Sequence, residues 1–392
     1  MLTDIAVIFI LGIIFARFSE NIGLAPIIGM LIAGILISPN QLGLVSESIV
    51  NLSADLRQIA LVTILTRAGL SLNIDKLKKV GRPAIFLSFL PATFEMLGLI
   101  IFSKMLFKID TIDAGILAAV LAAVSPAIVV PRMIKLMDEG YGRDKSIPEM
   151  ILAGSSVDDV FVIVFFSSFL ALKTGGELSA MSFINIPISI FTGILFGIIV
   201  GKILAILFNK IYINSIYKAM IFISTSFLMM KFQNLIENYI AMAALIAIMV
   251  SGMTINRKDE TLTKELLSSY DRLWKVFELF LFVLVGISVD MAYVKEAGFL
   301  AVLLILIGLI FRMIGVNISL IGTNLNKGER LFTSFAYLPK ATVQAAIGPV
   351  ALSMGLASGN LILSVSVIAI IFTAPLGAIL TDNTYDKLLK KS

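Results

Sequence analysis

The sequence predicts an all-helical polytopic membrane protein with about thirteen spans, and three observations carry that prediction. Apolar residues make up 58% of the 392-residue chain, against about 45–50% in soluble domains. Charged residues make up only 15%, against about 25%. The apolar surplus also recurs along the whole chain, in runs near the ~20 residues that cross a hydrocarbon core as a helix. No stretch between runs is long enough for a folded extramembrane domain.

Composition excludes several functions. The chain has no His and no Cys, which removes thiol chemistry, thiolate zinc sites and haem ligation by His. The usual switch near neutral pH is missing too, so a pH response falls to carboxylates or amines. No Walker-type phosphate loop occurs, no cofactor is expected, and the chain does not read as an enzyme. The net charge of +5 fits basic loops on one membrane face, not nucleic-acid binding.

The expected spans run as follows. Residues 4–21 carry no basic n-region and no small-residue cleavage site, so they read as a retained helix. Spans 24–39 and 56–72 come next, the latter with Arg67 snorkelling near its cytoplasmic end. Span 83–107 carries Glu95, span 113–136 is interrupted, and span 147–172 carries Asp158 and Asp159. Span 183–208 carries Gly193, Gly197 and Gly201 at four-residue spacing, which lets a second helix approach closely, in a dimer or inside one protomer. Spans 216–233 and 238–255 precede the longest polar connection, Asn256 to Asp271. Span 272–291 follows, then 297–322 with Arg312, an interrupted span 330–356, and 360–381.

An odd number of spans puts the termini on opposite sides. With the C-terminus and Lys387, Lys390 and Lys391 in the cytoplasm, Lys76, Lys78, Lys79, Arg82, Arg132, Lys135, Arg143, Lys145, Arg257 and Lys258 also fall inside. The positive-inside rule favours that orientation, with the N-terminus outside.

The two interruptions are Val124-Ser-Pro-Ala-Ile-Val-Val-Pro131 and Leu338-Pro-Lys-Ala-Thr-Val-Gln344. Proline removes a backbone donor and clashes with the preceding turn. Freed backbone groups at membrane depth survive only against protein or a wet cavity. Each interruption follows a span with one buried charge, Glu95 before the first and Arg312 before the second. Such weak internal symmetry is what inverted repeats leave, and paired broken helices point to a transport site.

The sharpest signal is Ala153-Gly-Ser-Ser-Val-Asp-Asp-Val160. A carboxylate at mid-membrane costs about 2.5–3.5 kcal/mol even on the lenient insertion scale. Adjacent helical positions differ by about 100°, so Asp158 and Asp159 cannot share one orientation. Carboxylate oxygens suit hard monovalent and divalent cations. Desolvation and mutual repulsion disfavour the charged form, so a proton can compete with the cation. Arg312 keeps its proton and therefore serves as a fixed counter-charge, with Glu95 as first partner and Asp158 as competitor. Lys340 can offset carbonyl dipoles at half-helix ends or be purely structural. Ser125, Thr342 and Gln344 flank the interruptions and offer polar oxygens.

At these residues the chain resembles the type 2 branch of the monovalent cation:proton antiporter superfamily, nearest its NHA subgroup of sodium/proton exchangers. The matching stretches are Ile64–Leu70, Val124–Pro131, Gly140–Gly142, Gly154–Asp159 and Ser334–Gly348. The resemblance implies two crossed discontinuous helices beside the aspartates, a core of helices within 83–172 and 297–381, dimerisation-domain helices within 1–72 and 183–255, and a linking helix at 272–291. It implies Asp159 as the main cation and proton site, with Asp158 as its neighbour. It further implies a homodimer in a bacterial inner membrane. Many type 2 members carry a lysine at the Arg312 position, whereas the NHA subgroup pairs an arginine with a glutamate matching Glu95. Exchange is electrogenic if both aspartates lose protons as one sodium binds, and electroneutral if one does. The alternatives are a K⁺/H⁺ antiporter of the same superfamily, a sodium-coupled organic anion symporter, and an ion channel.

Overall fold

The computed structural model describes residues 1–71, 81–174, 180–236 and 240–391. Lys76, Lys78 and Lys79 of the expected basic loop lie outside the described residues. In chain order the helices are α1 (Leu2–Asn21), α2 (Pro26–Ile37), α3 (Glu47–Ser71), α4 (Arg82–Leu87), α5 (Leu90–Phe107), α6 (Thr111–Leu121), α7 (Pro126–Glu139), α8 (Ile147–Thr174) and α9 (Ala180–Lys210). They continue with α10 (Ser215–Ile236), α11 (Ala244–Lys258), α12 (Glu260–Ile287), α13 (Met291–Ser319), α14 (Lys327–Ala336), α15 (Thr342–Ile347), α16 (Val350–Ser353) and α17 (Gly359–Leu388).

Among the described residues, nine helical segments are long and apolar enough to cross a membrane. The other four expected spans are helical but fall short of that standard. Residues 24–39 hold the 12-residue α2, and the span expected at 238–255, whose first two residues lie outside the described residues, holds most of the 15-residue α11. Residues 272–291 lie mostly in the second half of α12, and residues 330–356 break into α14, α15 and α16.

The polar connection expected from Asn256 to Asp271 is a correction: it is helical except at Asp259. Asp259 separates α11 from α12 and its carboxylate accepts from Leu262 N at 2.9 Å, the mark of an N-cap. Glu260 and Lys264 then pair at i,i+4, 2.9 Å apart. Capped, charged, helix-favouring sequence reads as a loop when polarity alone is weighed. Arg67 has a partner as well. Its Nε is 2.7 Å from Asp271 Oδ1, so the partly exposed side chain is also ion-paired.

Contacts divide the chain into two units. One comprises Met1–Ala54, Ile74–Phe166 and Leu281–Ser392, and the other Asp55–Asn73 and Ser167–Phe280.

In the first unit, α13 lies closely along α5. A Cβ on Gly308 would stand 2.8 Å from Leu99 Cδ2, and one on Gly315 2.7 Å from Pro91 Cα. These two glycines bracket Arg312, so its helix can approach Glu95. Termini in this unit are capped by short polar side chains. Asp110 accepts from Ile112 N and Asp113 N at the start of α6, Asp290 from Ala292 N at the start of α13. Asn326 and Glu329 form a reciprocal capping box on α14. The segment after α17 folds back: Gly142 N donates to Lys390 O at 2.8 Å, and Leu389 is buried among Met133, Leu136 and Ile147.

In the second unit, the glycine stripe of α9 is filled by α11. A Cβ on Gly193 would stand 2.7 Å from Ala243 O, on Gly197 2.5 Å from Ala247 O, and on Gly201 2.6 Å from Ser251 O. Ser251 Oγ donates to Gly197 O at 3.0 Å. The stripe is thus used for packing inside the protomer.

Candidate functional site

Both interruptions are real. Helix α6 stops at Leu121, residues 122–125 leave the helix, and α7 restarts with Pro126 at its first position. Helix α14 stops at Ala336, and α15 restarts at Thr342 after Pro339. Pro126 explains the first restart, since a first-turn proline lacks only a donor that would have no intrahelical acceptor, whereas Pro339 lies in the break ahead of the Ala341 N-cap. The two breaks are tied together: Ser125 N donates to Pro339 O at 2.8 Å.

The end of α6 presents carbonyls with no intrahelical donor, at the negative end of a helix dipole. Three side chains answer them. Lys340 Nζ donates to Leu121 O at 2.6 Å, Arg312 Nη1 to Ala122 O, and Gln344 Nε2 to Ala123 O at 2.9 Å. Lys340 therefore does offset half-helix carbonyls.

The charges form a compact network. Arg312 has no exposed surface and does not snorkel. Its Nη1 is 2.8 Å from Glu95 Oε2 and its Nη2 is 2.9 Å from Asp158 Oδ2. Its Nε donates to Tyr337 O at 2.5 Å. The sequence left Glu95 and Asp158 as competitors, and the planar guanidinium fork binds both. Lys340 Nζ lies 2.6 Å from Glu95 Oε1. Asp158 Oδ2 also accepts from Val124 N at 2.8 Å, which ties the carboxylate to the first break. Two cations and two carboxylates thus neutralise one another. Buried ions are tolerable only when paired and hydrogen-bonded in this way.

Asp159 stands apart. It is 7% exposed, its Oδ1 has no hydrogen-bond partner, and it makes no ion pair among the described residues. The 100° step along α8 accounts for the contrast, because Asp158 is turned to Arg312 and Asp159 cannot be. Other buried oxygens without a partner are Asp158 Oδ1, Ser125 Oγ and Gln344 Oε1. Thr342 is buried at the start of α15. No group of three or more His, Cys, Asp or Glu comes together among the described residues. A cation at Asp159 would therefore complete its shell with hydroxyl, amide, backbone or water oxygens.

Two contributors were not singled out in the sequence. Tyr337 is fully buried, its ring 5.5 Å from the Arg312 guanidinium carbon, and its OH has no partner. Thr373 Oγ1 accepts from Lys340 N at 3.0 Å and so braces the second break. Tyr337 was signalled by its place beside Leu338-Pro339. Thr373 had no signal beyond being polar in an apolar run.

With this geometry in view, comparison with known proteins is decisive. Residues 5–382 match the family described as sodium/hydrogen exchanger, transmembrane. The chain belongs to the sodium/hydrogen exchanger family. It is an integral membrane protein by that membership and by its apolar helices. Among the relatives of this family member, sodium/hydrogen exchanger 9B2 of Xenopus tropicalis is 31% identical over 381 residues, covering 93% of this chain and 70% of the relative. Human sodium/hydrogen exchanger 9B1 is 29% identical over 384 residues, covering 94% and 73%. The structure of the sodium proton antiporter MjNhaP1 from Methanocaldococcus jannaschii superposes with a TM-score of 0.82 at 20% identity, over 98% of this chain and 97% of that one. The fold is therefore that of this antiporter structure, as the resemblance of Val124–Pro131 and Gly154–Asp159 implied.

Proposed function

We propose that the chain exchanges Na⁺ or Li⁺ for H⁺ by alternating access, with Asp159 holding cation and proton in turn. Membership in the sodium/hydrogen exchanger family supports the reaction. One observation supports the residue: Asp159 is a buried carboxylate in the broken-helix region without an ion-pair partner among the described residues. Asp158 is held by Arg312 and Val124 N, and its role in this reading is to fix the break and the arginine. Ser125, Gln344 and Thr342, buried at the two breaks, are candidate oxygens for the cation. Since one carboxylate exchanges its proton, one H⁺ moves per Na⁺ and exchange is electroneutral.

The setting belongs to the same proposal. The basic loops support an N-terminus outside and a C-terminus in the cytoplasm, in a bacterial inner membrane whose acid-outside gradient drives sodium out. A homodimer needs a face other than the Gly193–Gly201 stripe, which α11 already covers. The moving core consists of helices within 83–172 and 297–381, rocking against dimerisation helices within 1–72 and 183–255.

The test uses proteoliposomes with an internal pH dye and an imposed proton gradient. NaCl, LiCl, KCl or choline chloride is added to wild type and to Asp159→Asn. Dissipation by Na⁺ or Li⁺ that is lost in the variant is expected. Dissipation by K⁺ alone would make the protein a K⁺/H⁺ antiporter, and no cation response would end the antiport reading.

A further inference from the structure

Helix α13 has two working faces. One bears Gly308, Arg312 and Gly315 and packs inward on α5. The other lines an open groove of about 570 Å³ formed by Ile310, Met313, Ile314, Asn317, Ile318 and Ile321, together with Arg330. The spacing is that of one helical face. Ile310, Ile314 and Ile321 are strongly exposed, at 59%, 43% and 57%.

The polar end is built and positively charged. Arg330 Nε donates to Leu325 O at 3.1 Å and its Nη2 reaches Thr323 O at 3.5 Å, which steers the guanidinium over the turn after α13. It makes no ion pair with a carboxylate among the described residues. A second arginine arrives from the start of α4: Arg82 Nη1 lies 3.4 Å from where a Cβ on Gly322 would stand, one residue beyond Ile321. Asn317 donates to Met313 O and Ser334 Oγ, leaving its carbonyl oxygen as an acceptor.

We infer that this groove is a binding site for an anionic phospholipid, its acyl chain along Ile310, Ile314 and Ile321 and its phosphate between Arg330 and Arg82. Charge complementarity selects this occupant. A guanidinium fork matches a phosphate bidentately. Lipid tails are as apolar as isoleucine, so the acyl chain distinguishes no phospholipid from another. Selection therefore rests on the headgroup, and each arginine near the membrane surface favours an anionic lipid by about fivefold. The groove shares a turn of α13 with Arg312, so its occupant braces the helix that carries the buried counter-charge. The site is independent of which ion the protein moves.

The experiment is native mass spectrometry of the purified full chain in detergent with dioleoyl phosphatidylglycerol or dioleoyl phosphatidylcholine. Wild type is expected to retain the glycerol lipid at least about fivefold better. Arg330→Gln, and separately the exposed Arg82→Gln, should each cut that preference, and Ile314→Trp should lower retention of both lipids by filling the groove. Equal retention of the two lipids by wild type would overturn the inference. So would an undiminished preference in either arginine variant. The chain has no cysteine, so Ile314→Cys gives a unique thiol. An intermolecular disulfide through it in native membranes would place a second copy on this face, and also overturn the lipid.

Discussion

The Ser125 amide donates to the Pro339 carbonyl across 2.8 Å, and this bond joins the two broken helices at their breaks. Neither residue can use its backbone group within its own helix. Each break therefore helps to satisfy the other. Lys340 and Gln344 on one break reinforce this by capping Leu121 O and Ala123 O on the other.

Asp158 and Asp159 should separate in two measurements. Asp159→Asn is expected to abolish exchange while changing unfolding free energy by less than about 1 kcal/mol, because no ion pair is lost. Asp158→Asn strips Arg312 of a carboxylate and should destabilise by about 3–5 kcal/mol. Gradient dissipation in proteoliposomes and thermal unfolding in detergent check the pair. Equal stability of the two variants would refute the division of labour.

In the proposed exchange, competition at one carboxylate would set the pH response. The apparent KM for Na⁺ should rise as pH falls, approaching about tenfold per pH unit at the acid end, the limit for one proton displaced by one cation. A hundredfold limit would mean two protons. Clamping the membrane potential with valinomycin and K⁺ should leave the exchange rate unchanged.

Arg312→Lys is not a conservative change. One ammonium cannot span Glu95 and Asp158 as the guanidinium does at 2.8 and 2.9 Å. Loss of one arm should cost about 1.5–3 kcal/mol, the worth of a hydrogen bond to a charged group. Arg312→Met leaves two carboxylates with one cation and should cost more than the lysine variant in the same melt.

Gly197→Leu should destabilise by about 1–3 kcal/mol through overpacking, since even a Cβ would lie 2.5 Å from Ala247 O. If the same variant altered only the oligomeric state, with no change in melting, the stripe would have to face another copy.

The breaks and the aspartates were legible because proline and intramembrane carboxylates are conspicuous against an apolar background. Spacing along the chain also placed Glu95 and Arg312 one span ahead of each break. What it did not disclose is that Arg312 holds two carboxylates at once. That depends on how closely α13 approaches α5, which Gly308 and Gly315 decide through tertiary contact. Thr373 was silent for the same reason, since its partner is the backbone amide of Lys340 on a distant segment. The start of α12 was hidden by its own polarity, because hydropathy reports membrane depth and not helicity.

The balanced cluster of Arg312, Lys340, Glu95 and Asp158 bears on leakage. With these four charges cancelled, Asp159 is the carboxylate beside the cluster left without an ion pair among the described residues. In the proposed exchange Asp159 would be neutral with Na⁺ aboard, neutral with H⁺ aboard, and negative only when bare. Burying an uncompensated carboxylate is far more costly than burying a neutralised one. The empty carrier is thus the form least able to cross. On the proposed function, futile slippage, a return stroke without cargo, would be opposed by electrostatics.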